Sequence, residues 1–142
     1  MLPRLPYADL SPDAYQGLLL ADNALHNSPL GTTLVALLYL RVSQINGCAY
    51  CLERHARTLR ADGVSQHKLD ALAGWRVSPR FSARERAALQ WAESLVHIAY
   101  THAPDGDFAT LQRHFSDREI SDITLAVALM SAFNRLAIGM RQ

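Results

Sequence analysis

Apolar positions along this chain recur at helical spacing and almost never alternate with polar ones, so the pattern predicts helices and no strand. The most apolar stretch is Leu34-Val35-Ala36-Leu37-Leu38-Tyr39-Leu40. A helix that is apolar on nearly every side belongs at the centre of a domain or between subunits. Thr32 or Thr33 is expected to cap it, and it should run to about Gln44. Before it, Ser11-Pro12-Asp13 combines a capping side chain with proline at the first helical position. That helix should reach about His26, with Tyr15, Leu18, Leu19 and Leu25 on its apolar side, until Asn27-Ser28-Pro29 ends it. Residues 1–10, with Pro3 and Pro6, read as an extended arm.

After the central helix, Asn46-Gly47 is a stop or tight turn, because glycine adopts positive φ without steric cost. Good helix formers then run from Cys48 to Asp62, and Gly63 suits the position just beyond. Ser65 should cap a short helix from Gln66 to about Gly74. Ser82-Ala83-Arg84-Glu85 and Ser116-Asp117-Arg118-Glu119 both match the reciprocal capping box. The first should open a helix reaching Tyr100 or Thr101. The second should open one through about Ile138, with Ile120, Ile123, Leu125, Ala126, Leu129, Met130 and Phe133 as its apolar face. A shorter helix, from Asp107 or a neighbour to about Phe115, fits between them. The architecture is all-α, with about six or seven helices.

Composition narrows the function more by exclusion than by pointing. A chain of 142 residues with formal charge +1 suits one domain with a real core and offers no basic run for nucleic acid. Its N-terminus lacks a signal-peptide pattern, and its longest apolar run is far short of a bilayer span. The expected setting is a soluble protein of the cytoplasm, with no membrane partner.

The candidate chemistry lies in Gly47-Cys48-Ala49-Tyr50-Cys51-Leu52-Glu53-Arg54-His55, which holds both cysteines of the chain. At i, i+3 and i+7, Cys48, Cys51 and His55 share one helix face. The first turn of a helix carries unpaired N–H groups and partial positive charge, which favour thiolate over thiol. His55 is placed to take a thiol proton. A thiolate oxidised to sulfenic acid can be resolved by a second thiol as a disulfide. The spacing therefore suits a dithiol redox cycle. A structural disulfide, a zinc site drawing on His26, His67, His97, His102 or His114, and a pair of inert buried thiols stay open beside it. His26 reads as a helix-end charge partner. Glu93 shares a side with Leu89, Val96 and Tyr100; it reads as a surface carboxylate, since carboxylates are seldom buried unless paired, or, buried near a cysteine, as a proton carrier with raised pKa. Asn134 reads as a surface residue, or as a hydrogen-bond partner directed toward the site.

The run from Arg41 to His55 resembles the core of the AhpD-like, carboxymuconolactone decarboxylase family. The similarity extends through Gly63, Trp75-Arg76, Phe81 to Leu89, Trp91-Ala92-Glu93 and Phe133 to Ala137, and covers roughly residues 33 to 138. It implies an AhpD-like helical bundle over residues 1–142, a homo-oligomer, and thiol-dependent reduction of hydroperoxides without a cofactor or metal. It further implies that Cys51 attacks the peroxide, that Cys48 resolves it, and that His55 belongs to a proton relay. The electron donor would be a dithiol, on a lipoyl-bearing or thioredoxin-like protein. Two relay positions differ from the family pattern. Ala36 stands where a glutamate is expected, and Tyr50 where a second histidine is expected. A phenol can donate a hydrogen bond but shuttles protons poorly near neutrality. Glu93 is then the expected replacement acid. The name of the family also leaves a lactone decarboxylase as an alternative, and a non-catalytic redox-sensing oligomer is a third reading.

Overall fold

A computed structural model describes all residues from Met1 to Gln142. It contains helices α1 (Tyr7–Leu10), α2 (Pro12–His26), α3 (Thr32–Asn46), α4 (Ala49–Ala61) and α5 (Gln66–Asp70). A 3₁₀ turn (Leu72–Gly74) follows, then α6 (Ala83–Val96), α7 (Ile98–Thr101), α8 (Asp105–Gln112) and α9 (Asp117–Met140). There is no strand. Six of these helices have eight residues or more, and the others are single turns that join them.

The run of apolar residues in α3 is accounted for by its place. Every residue from Leu34 to Leu40 is buried, because α4, α6 and α9 pack around α3 on different sides. Burying a leucine or valine fully stabilises the fold by roughly 1.5–3 kcal/mol each, so this helix dominates the core. The last helix, α9, has the length and hydropathy of a membrane span. Its apolar face, including Ile123, Val127 and Met130, packs instead against α2, α3 and α6.

Both capping boxes form as the sequence requires. Ser82 Oγ accepts from the Glu85 N–H, and Ser116 Oγ accepts from the Glu119 N–H, while each glutamate accepts from its serine N–H. Other expected boundaries shift for physical reasons. Gly31, at φ 82°, rather than a threonine, opens α3. Ser11 makes no side-chain cap on α2, whose start rests on Pro12. The helix expected from Gln66 to Gly74 breaks at Ala71 into α5 and the 3₁₀ turn. Helix α6 stops at Val96 instead of reaching Tyr100, and the Thr101 hydroxyl donates to the free Ser94 carbonyl at 2.6 Å.

The N-terminal arm is also not extended throughout, since Tyr7–Leu10 forms a helical turn. It is tied to the end of α9: the Arg4 N–H donates to the Met140 carbonyl at 2.9 Å, and the Arg4 guanidinium donates to the Gly139 carbonyl. The Tyr7 hydroxyl donates to the Gln142 side chain.

Candidate active site

Helix α3 ends at Gly47, whose φ of 73° turns the chain sharply into α4. That turn makes Cys48 the N-cap of α4, with its Sγ accepting from the Cys51 N–H at 3.3 Å. The two cysteines are joined as a disulfide, with Cα atoms 5.3 Å apart. Both sulfurs thus lie at the positive end of α4, where the first-turn N–H groups favour an anionic sulfur once the bond is reduced.

The turn is held from behind by a buried amide. Asn134 of α9, which is wholly buried, donates to Ser43 Oγ at 3.0 Å and accepts from Asn46 Nδ2 at 3.0 Å. The surface expectation for Asn134 is therefore corrected. Its side chain pins the end of α3, two residues before Cys48, against the last helix.

A cavity of about 110 Å³ opens in front of the cysteine pair. Helix α4 contributes Tyr50, Cys51, Arg54 and His55, and α2 contributes Tyr15, Leu19, Asp22 and His26. Met130, Phe133 and Ala137 of α9 line it as well, and Tyr7 and Gln142 stand at its edge. Cys51 lines this cavity and Cys48 does not. Only one of the two sulfurs therefore meets whatever enters.

His55 is buried at 8% exposure, with its ring edge-on to Tyr39 at a centroid distance of 5.2 Å. Burial, reinforced by the Arg54 charge and opposed by Asp22, lowers its pKa from 6.5 to about 4. It is a neutral imidazole at physiological pH. Tyr50, where the family pattern has histidine, is about half exposed and lines the cavity.

Glu93 is elsewhere, and the expected raised pKa is corrected. Its Oε1 accepts from Arg41 Nε at 2.8 Å and from Trp75 Nε1 at 2.9 Å, while Oε2 meets Arg76 Nη1 at 2.5 Å. Burial pushes its pKa up, but hydrogen bonds from Trp75, Arg76 and Arg41, together with the Arg41 charge, bring it below the ordinary value. It is a fixed anion that clamps α6 to α3 and to the segment after the 3₁₀ turn. It does not line the cysteine cavity.

The carboxylate that does line the cavity is Asp22, one turn before His26 on α2. Asp22 did not stand out in the sequence, and His26 did so only as a possible zinc ligand or a helix-end charge partner. A signal was present, since Tyr15, Leu19, Asp22 and His26 follow 4-3-4 spacing and so form one stripe that continues from apolar to polar. His67, His97, His102 and His114 do not line this cavity, and no cluster of three or more histidine, cysteine or carboxylate side chains able to hold a metal ion is present.

The chain and its fold are similar to known proteins. Residues 12–94 match the carboxymuconolactone decarboxylase family. The uncharacterized protein YdfG of Bacillus subtilis (strain 168) is 26% identical over 140 residues, covering 99% of this chain and 95% of the relative. The crystal structure of ATU0492 from Agrobacterium tumefaciens, a protein of unknown function linked by name to AhpD antioxidant defence, superposes with a TM-score of 0.95 at 40% identity. That match covers 99% of this chain and 97% of the other. An uncharacterized peroxidase-related protein from Silicibacter sp. TM1040 has a TM-score of 0.81 at 27% identity, covering 89% of this chain and 68% of the other.

Proposed function

The chain belongs to the carboxymuconolactone decarboxylase family, and on that premise we propose that it is an AhpD-like, thiol-dependent reductase of small hydroperoxides. The observation that carries this reading is the division of labour between the sulfurs. Cys51 meets the cavity beside a neutral imidazole, while Cys48 is covered behind it within bonding distance.

In the reduced protein, the Cys51 thiol passes its proton to His55, and the resulting thiolate attacks the distal oxygen of the hydroperoxide. The O–O bond breaks, an alcohol leaves, and Cys51 becomes a sulfenic acid. Cys48 then attacks the Cys51 sulfur, water departs, and the disulfide closes. A dithiol donor returns two electrons to restart the cycle. The helix start stabilises the sulfur anion, which eases loss of the Cys51 proton. The cavity volume supports a small substrate. An apolar cavity of about 150 Å³ admits benzene, so about 110 Å³ suits hydrogen peroxide or a hydroperoxide with a short organic group.

The test is direct. Reduced protein mixed with tert-butyl hydroperoxide should form the Cys48–Cys51 disulfide, seen as a loss of two hydrogens by intact mass. Cys48→Ser should stop at the sulfenic acid and Cys51→Ser should not react. Equal reactivity of Cys51→Ser would overturn the assignment.

A further inference from the structure

A hydroperoxide reductase must remove a proton from sulfur and deliver one to the departing oxygen. The first task falls to His55. The second has no owner among the residues described so far. Displacement at the O–O bond runs in line, so the leaving oxygen departs on the side away from the Cys51 sulfur. Away from α4 the cavity is lined mainly by α2 and α9, and of these two only α2 brings ionisable side chains to it.

These are Tyr15, Asp22 and His26, of which the last two form a pair. Asp22 is fixed by the Tyr39 hydroxyl, which donates to its Oδ1 at 2.9 Å. The same oxygen lies 3.9 Å from His26 Nδ1, and the His26 ring packs at 5.7 Å from Tyr39. His26 Nδ1 is buried and has no hydrogen-bond partner in the protein. Buried nitrogens are nearly always paired, so one that faces a carboxylate within a lined cavity points to a functional use. Tyr39, between both imidazoles, couples the two sets: its hydroxyl holds Asp22 and its ring holds His55.

Resting on the reductase reading above, we propose that His26, oriented by Asp22, is the acid that protonates the leaving alkoxide. The other titratable or charged groups on the cavity are Tyr15 from α2, Tyr7 from α1, and Tyr50, Arg54 and His55 beside Cys51 on α4. A guanidinium does not release its proton and a phenol is a much weaker acid than imidazolium. The α9 side chains on the cavity are apolar and carry none.

The proton count closes. His55 takes the Cys51 proton, protonated His26 gives its proton to the alkoxide, and the products are an alcohol and Cys51 sulfenic acid. In the second step Cys48, which lies outside the cavity, gives its proton to solvent and attacks the Cys51 sulfur, while His26 regains a proton from solvent. The departing hydroxide takes the proton held by His55 and leaves as water. Both imidazoles are back in their starting forms, and the two electrons have passed from the two sulfurs to the peroxide.

The test is oxidant choice. Rates of disulfide formation are compared for tert-butyl hydroperoxide, whose alkoxide needs a proton, and peracetic acid, whose carboxylate leaves without one. His26→Gln should lose about 100-fold with the hydroperoxide and stay within about threefold of wild type with the peracid. Wild-type rate with both oxidants, or an equal loss with both, overturns the inference. Should His26→Gln fail to fold by circular dichroism, Asp22→Asn must show the same selective loss at smaller size, and equal response to both oxidants overturns the inference there. If the wild type forms no disulfide with either oxidant, the reductase reading falls and takes this one with it. An active wild type beside an equally active His26→Gln removes this inference alone.

Discussion

The neutrality of His55 has a consequence for stability that can be measured apart from catalysis. An unfolded histidine titrates near 6.5, whereas folded His55 titrates at about 4 because it is buried beside Arg54. Between these values the unfolded chain binds a proton that the folded protein refuses, so stability must fall as pH falls. Above pH 6.5 there is no effect, and below about 4 no further loss from this group. By pH 4.5 the linkage amounts to about 2.5 kcal/mol, at about 1.4 kcal/mol for each pKa unit. Urea unfolding of the disulfide-bonded protein at pH 7.5, 6.5, 5.5 and 4.5 would measure it for wild type and for His55→Gln. The comparison rests on the slope with pH, since the substitution also changes packing against Tyr39. Glu93 and Glu119 have folded pKa values below the ordinary 4.5. The stability they contribute is therefore lost below about that pH, outside most of the window, and it cancels between the two proteins. Wild type should lose about 2.5 kcal/mol more than His55→Gln on acidification. Parallel curves would refute the placement of His55 as a buried neutral base.

Other outcomes follow from the same contacts. Glu93→Gln should cost about 2–3 kcal/mol in urea unfolding, because it leaves Arg41 with a weakened partner in a half-buried site; oxidation of Cys51 by tert-butyl hydroperoxide should stay within about threefold of wild type, and a far larger loss would restore Glu93 to the chemistry. Asn134→Ala should destabilise by about 2 kcal/mol, because Ser43 and Asn46 lose a buried partner; a change below about 0.5 kcal/mol by the same assay would mean the amide does not pin the turn. Ser116→Ala removes one half of a capping box and should lower stability by about 1 kcal/mol, read as a shift of the urea midpoint without change of slope.

The helices were legible where the signal was local. Ser82 with Glu85, and Ser116 with Glu119, satisfy each other within one turn, so four residues contain the whole argument. The burial of α3 was legible for a related reason, since Leu34 to Leu40 leaves no polar face to expose. The cysteine pair and His55 were legible because one turn of helix and the next place them together. Glu93 was misread because helical periodicity gives the direction of a side chain and not its partners. Arg41 comes from α3 and Arg76 from the segment after the 3₁₀ turn, so only the packed fold reveals that three donors surround the carboxylate. Asp22, and its pairing with His26, were missed for the opposite reason. Their stripe on α2 looked like an ordinary edge between apolar and polar faces until the fold laid it along the cavity in front of Cys51.

The joining of Arg4 to Met140 and of Tyr7 to Gln142 bears on how the protein is handled at the bench. An affinity tag or fusion partner attached after Gln142 emerges from a residue that lines the cavity in front of Cys51. Kinetic comparisons between differently tagged preparations would then report obstruction as readily as chemistry. Conversely, a fluorophore placed at residue 142 would sit close enough to register occupancy of the cavity.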